Sequence, residues 1–141
     1  MPESAPPNGS AGCSRRSFVA ASKSFETLLR IYQISSAHVY LTYPFVLSWS
    51  LLEAMAAGCA VVASRTAPVT EVITDRKNGL LVDFFSPAEV AARVDEVLDR
   101  GPTVAAIRRQ ARRTIVARYD LRRVCLPAHL KLLGVTTPAA A

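Results

Sequence analysis

The sequence predicts an α/β fold built on a short parallel sheet. Three observations carry that expectation. Three brief apolar runs, 37–43 (AHVYLTY), 59–64 (CAVVAS) and 80–82 (LLV), have the β-branched and aromatic character of buried strands. Segments with apolar residues at helical spacing lie between and after them. Turn and cap residues separate the two kinds: Gly58, Asn78-Gly79, Ser86-Pro87 and Gly101-Pro102. Such alternation implies right-handed crossovers, and three strands make only half of a doubly wound sheet.

Each element has a local reason. Residues 1–22 are rich in Pro, Gly, Ser and Asn, without apolar periodicity, and read as a disordered leader. A domain over 23–135 follows, with 136–141 as a frayed tail. Phe25, Leu28, Leu29 and Tyr32 give 24–36 a helical face, and the first strand then stops at Pro44. A second helix runs from Ser50 to Ala57, with Glu53 in its first turn and Gly58 as its stop. The strand from Cys59 to Ser64 leads to a short helix over Val69–Ile73, and the Asn78-Gly79 turn to a third strand. Ser86 caps the next helix, Pro87 takes its first position and Glu89 completes a capping box. Val90, Val94, Val97 and Leu98 form the apolar face of that helix. The helix over Thr103–Tyr119 turns Val104, Ile107, Ala111 and Ile115 inward. Leu121–Leu133 is helical with a disturbance at Pro127.

Composition narrows the function classes. The chain has 141 residues, half of them hydrophobic, which suits one domain with a real core. Cys13, Cys59 and Cys125 show no C-x-x-C spacing, so they suggest neither a disulfide framework nor a metal site and fit a reducing compartment. No acid or base lies between Ile31 and Leu52, yet Gln33, Ser35, Ser36, His38, Thr42, Pro44, Ser48 and Ser50 argue against a lipid-facing helix there. Residues 1–22 lack the continuous apolar segment of a signal peptide. The net charge of +6 permits anionic partners without identifying one.

Glu53 is the residue with a chemical role to weigh. In one reading Ser50 is an N-cap and Glu53 the third-position acid of a capping box, satisfying a backbone N–H. In the other its two acceptor oxygens hold the vicinal hydroxyls of a nucleotide ribose, while the amides of Leu47, Ser48, Trp49 and Ser50 face the diphosphate at the helix N-terminus. The two readings are compatible.

The run SLLEAMAAGCAVVASRTAPVTEVITDRKNGLLVDFFSPAEVAARV resembles the C-terminal, Rossmann-like nucleotide-sugar domain of retaining GT-B glycosyltransferases, group one or family four. Leu52-Glu53-Ala54-Met55-Ala56-x-Gly58, the valine strand to Ser64, Glu71-Val72-Ile73, Asn78-Gly79-Leu80-Leu81-Val82 and Pro87-x-Glu89 match in order and spacing. The likeness spans about residues 25–133. It implies that Glu53 orients the donor ribose, that the 47–50 backbone serves the phosphates, and that Thr66, Ala67 and Pro68 line the pocket. No acidic pair with metal-ligand spacing stands near the site, so no metal is implied, nor any cofactor beyond the nucleotide-sugar substrate. The family's first glutamate, which contacts the donor sugar, falls on Phe45, and its glycine-rich turn is replaced by Val46-Leu47-Ser48-Trp49-Ser50. The sugar is then held differently, by backbone groups and Ser48, or the site is impaired.

The resemblance also implies that the N-terminal acceptor half is missing, and with it the first strands of the donor half, which carry the basic residues that grip the diphosphate. Arg15, Arg16 and Lys23 lie outside any such motif. The expectation is a truncated, cytoplasmic donor-binding portion, inactive by itself, of an enzyme that transfers a glycosyl group with retention. The alternative is a noncatalytic module using Arg108, Arg109, Arg112, Arg113, Arg118, Arg122 and Arg123. A solvated helix face explains these arginines first. A peripheral anionic membrane contact comes next, and nucleic acid last, for want of interleaved aromatics. His38 is expected to be a satisfied core or edge histidine, His129 a surface residue and Trp49 a packing anchor. Ser48 and Ser50 lack the elbow and base of a nucleophile.

Overall fold

A computed structural model describes residues 24–43, 46–99 and 101–134. The expected leader at 1–22, the tail at 136–141, and the positions Arg15, Arg16, Lys23 and Phe45 lie outside them. The elements in order are α1 (Phe25–Ile34), β1 (His38–Tyr40), α2 (Trp49–Ala56), β2 (Val61–Ser64), α3 (Ala67–Thr70), β3 (Leu80–Val82), α4 (Pro87–Leu98), α5 (Pro102–Tyr119), a π-turn (Leu121–Cys125) and α6 (Leu126–Leu132). The strands form one parallel sheet in the order β1-β2-β3, with Val39 opposite Val62 and Ala63 opposite Leu81.

The two-residue period of the strands sorts the core into two layers. Val61, Ala63 and Leu81 face one way, onto Tyr32 of α1, Leu51, Ala54 and Met55 of α2, and Val69, Val72 and Ile73. Val62, Leu80 and Val82 face the other way, onto Val97 of α4. The helix α5 serves both layers: Val104 and Ile107 join the second, Ala111 and Ile115 the first. These are the four residues that its sequence periodicity turns inward, so β2 and β3 are sealed on both faces, as parallel strands require.

Several local expectations are corrected. The start of α2 is capped by Ser48, not Ser50, and no acid sits in its first turn. Glu53 therefore lies one turn further along, and the capping-box reading of it fails. Trp49 is 80% exposed and anchors nothing in the core. At α4, Ser86 Oγ accepts from the Glu89 amide as expected, but the Glu89 carboxylate reaches the Asp83 amide instead of closing a box. The short third helix comes two residues earlier than the sequence suggests, over Ala67–Thr70. In the 74–79 turn the left-handed residue is Arg76, at φ 59°. The final disturbance precedes Pro127: the Cys125 amide bonds to Asp120 and the Leu126 amide to Leu121, a five-residue step just before the proline that lacks a donor.

Gly58 ends α2 in a Schellman arrangement. The Cys59 amide reaches the Ala54 carbonyl and the Gly58 amide the Met55 carbonyl, with Gly58 at φ 79°. Asn78 has a different task. Its buried side chain accepts from the Thr74 amide at 2.8 Å and donates to the Val72 carbonyl at 2.9 Å and to Thr114 Oγ1 at 3.2 Å. It ties the turn before β3 to α5. Asn78→Ala leaves those groups unpaired away from water and is expected to lower stability by about 2 kcal/mol, read as a lower urea midpoint with an unchanged slope.

Candidate functional site

The C-terminal ends of parallel strands form the crevice in which α/β proteins bind ligands. Here that edge is made by Tyr40, Ser64 and Val82 and by the starts of α2, α3 and α4. Two hydroxyls shape it. Tyr40 ends β1, and its phenol oxygen accepts from the Ser48 amide at 2.9 Å, which fixes where α2 begins. Ser64 ends β2, wholly buried; its hydroxyl donates to the Thr42 carbonyl at 2.7 Å and accepts from the Thr42 amide at 3.0 Å. The segment leaving β1 is thereby clipped over β2. Neither residue was singled out from sequence, because only the tertiary partner gives each a role.

Ser48 closes the first turn of α2 on itself. Its Oγ accepts from the Ser50 amide at 3.3 Å and lies 3.0 Å from Ser50 Oγ, while its carbonyl accepts from the Leu51 amide at 3.2 Å. An incoming oxyanion would exchange for these bonds at the positive end of the helix. Leu47 packs on the core below, and Trp49 projects into solvent. Glu53 is part-exposed in the second turn. Helical side chains lean toward the N-terminus, so it leans toward the turn holding Trp49 and Ser50. Its charge is also felt on α1: the Tyr32 phenol is pushed up, first by burial and then by Glu53.

Thr66, Ala67 and Pro68 start α3 at the same edge. Thr66 Oγ1 is buried without a hydrogen-bond partner among the described residues, so it holds unspent bonding capacity. The Arg65 amide bonds to the Val82 carbonyl at 2.8 Å, and its guanidinium lies 3.7 Å from Asp75. The structure thus gathers 47–50 and 66–68 on neighbouring helix starts, with Glu53 a turn above the first. An aromatic cluster that sequence reading missed stands at this edge. Tyr43 lies 5.6 Å from both Phe84 and Phe85, ring centre to ring centre, and so links the chain after β1 to the chain after β3. No cluster of three or more metal-ligating side chains occurs among the described residues.

His38 stands at the other end of the strand, where β1 begins. Its ring meets Tyr32 edge-on at 5.2 Å and stacks with Tyr40 at 6.4 Å. The core-or-edge placement holds, but the expectation of a satisfied ring does not, since Nε2 is buried without a partner among the described residues. Burial pushes its pKa down. His129 is exposed, as expected. No helix among the described residues is long and apolar enough to cross a membrane.

Residues 10–114 match the family described as glycosyl transferases group 1. The chain is 31% identical over 97 residues to a D-inositol 3-phosphate glycosyltransferase of Corynebacterium diphtheriae, covering 65% of this chain and 23% of that protein. It is 34% identical over 76 residues to an uncharacterised glycosyltransferase of Methanocaldococcus jannaschii, covering 53% and 19%. The chain thus spans about a quarter or less of the curated relatives it matches. The C-terminal domain of a group 1 glycosyl transferase (LpcC) from Francisella tularensis superposes with a TM-score of 0.67 at 23% identity, over 74% of this chain and 54% of that one. HepE from Anabaena, solved in complex with UDP-glucose, superposes with a TM-score of 0.70 at 18% identity, over 77% and 30%. At these identities the likeness speaks for the fold alone, that of a GT-B glycosyltransferase domain.

His38, half-buried with its Nε2 away from water, gives the domain a pH dependence with a definite sign. Its folded pKa lies below its unfolded value, so the unfolded chain takes up the proton first. Its contribution is intact above about pH 6.5 and is lost as pH falls from there through the folded pKa. Urea midpoints of the native chain should therefore drop between about pH 7 and 5 more steeply than those of His38→Phe.

Proposed function

Because the chain belongs to the glycosyl transferases group 1 family, we propose that it is the donor-binding portion of an enzyme that transfers a glycosyl group with retention from a nucleoside diphosphate sugar. The observation that carries this reading is the position of Glu53, one turn inside a helix whose capped start opens on the C-terminal edge of the parallel sheet. A carboxylate there offers two acceptors to a vicinal diol. The 47–50 backbone and the α2 dipole take the diphosphate, and Thr66, Ala67 and Pro68 line the pocket, with the unpaired Thr66 hydroxyl as a donor or acceptor. HepE, whose crystals hold UDP or UDP-glucose, supports a uridine nucleotide as the first probe.

The chain's share of the chemistry is to position the donor and to stabilise the departing diphosphate as charge builds on it. The proposal needs no metal and no further cofactor. It places the protein in the cytoplasm, with the acceptor site on the other half of the complete enzyme. A second reading, an interaction module for anionic surfaces, draws on the seven arginines from 108 to 123, none of which pairs with a carboxylate among the described residues.

Calorimetric titration with UDP tests the first reading. The native chain should bind saturably, and Glu53→Ala should bind about tenfold more weakly, as expected for losing hydrogen bonds to a charged acceptor. 2′-Deoxy-UDP should show a smaller loss on the same substitution. Equal UDP affinity in the two proteins removes the ribose role. The isolated chain should also turn over no nucleotide sugar; measurable transfer or hydrolysis by the purified protein would show that it needs no second half.

A further inference from the structure

At the end of the sheet opposite Ser48 and Thr66, a depression of about 500 Å³ opens between α5 and the C-terminal ends of α1 and α2. Ser35 and Gly58 line one side; Arg108, Arg109 and Arg112 line the α5 side, and no carboxylate is among the lining residues. Two of the guanidiniums are fixed by backbone. Arg108 Nε donates to the Gly58 carbonyl at 2.6 Å, and Arg112 donates to the Ala56 carbonyl. Each contact uses part of a five-donor fork and leaves the rest free.

The charge here lacks a counterpart. Arg30, Arg65, Arg76 and Arg93 each lie in an ion pair, whereas Arg108, Arg109 and Arg112 do not among the described residues. The ends of α1 and α2 contribute about half a negative charge each, which leaves a net excess of roughly two positive charges. The buried Val97 and Val104 give the depression an apolar floor, with the exposed Ile34 and Ala105 beside them. Forked donors held by the backbone suit a tetrahedral oxyanion, because little ordering remains to be done on binding. The volume exceeds that of a bare phosphate, and the apolar floor suits a carbon body beside it.

We propose that this depression binds a phosphomonoester, free or borne on a lipid headgroup, at a site separate from the donor edge. The test uses the whole chain at about 0.15 M salt, where exposed charges beyond roughly 8 Å are screened. Nuclear magnetic resonance would follow Arg108 Nε and the Gly58 and Val104 amides. Glycerol 3-phosphate is the soluble probe, and vesicles of phosphatidylcholine with phosphatidic acid are the lipid probe. Saturable shifts at these three positions are expected, about tenfold weaker in binding for Arg109→Glu, partly retained in Arg109→Lys and unchanged in Glu53→Ala. Saturation by the soluble probe assigns a free ligand; saturation by the vesicles alone assigns a lipid. Arg109 is exposed, so its variants should keep the native circular dichroism; Arg109→Gln replaces Arg109→Glu if the latter does not. Saturation by neither probe, equal affinity of the Arg109 variant, or identical shifts with sulfate at matched ionic strength would overturn the assignment.

Discussion

The position of α2 is the constraint on which the rest depends, and it is set at both ends by groups distant in sequence. At the start, the Tyr40 hydroxyl takes the Ser48 amide and so decides which residue becomes the cap. Along its length, Leu51, Ala54 and Met55 are wholly buried. At the finish, the Schellman bonds leave the Ala56 and Gly58 carbonyls unpaired within the chain turn, and Arg112 and Arg108 take them. A cation at a helix C-terminus also opposes the dipole, so these contacts stabilise through bonding and field together. Glu53 owes its place one turn inside α2 to all three.

The arginines therefore divide by task. A solvated helix face accounts for Arg113, while Arg109, also exposed, lines the depression at the α5 end. A solvated face does not account for Arg108 and Arg112, whose side chains reach across 50 and 56 positions to hold α2. Their spacing of four puts them on one stripe of α5, along the flank of the buried face that carries Val104, Ile107, Ala111 and Ile115. A basic run in the sequence looks uniform, but the helix sorts it by direction.

What was legible from sequence follows the same division between local and distant causes. The strands, the parallel order and the inward face of α5 were readable because period two and period 3.6 are written in neighbouring residues. The start of α2 is ambiguous in sequence because two serines both suit a cap, and the choice between them lies with Tyr40. The size of Trp49 argues for burial, whereas its place at the first helical position, on the outer side of a tight cap, puts 80% of it in water. The 47–50, 53 and 66–68 positions came from motif order. Their convergence at one edge follows from parallel strands, which must start all their crossover helices at the same end.

The same topology explains why the domain offers two chemically different ends. Parallel strands send every following helix off from one edge, so that edge collects helix N-termini and positive partial charge from the backbone itself. The opposite edge collects helix C-termini and needs cations from side chains to reverse its sign. Three arginines supply more charge than the carbonyls of α1 and α2 consume, which turns an end expected to repel anions into one that attracts them. Sequence can alter the second edge without touching the first, because the residues of one are carried by α5 and those of the other by the loops after β1 and β2. A binding function at the α5 end can thus be gained or lost while the donor edge keeps its geometry. The one shared part is α2, whose rigid eight residues connect the two ends.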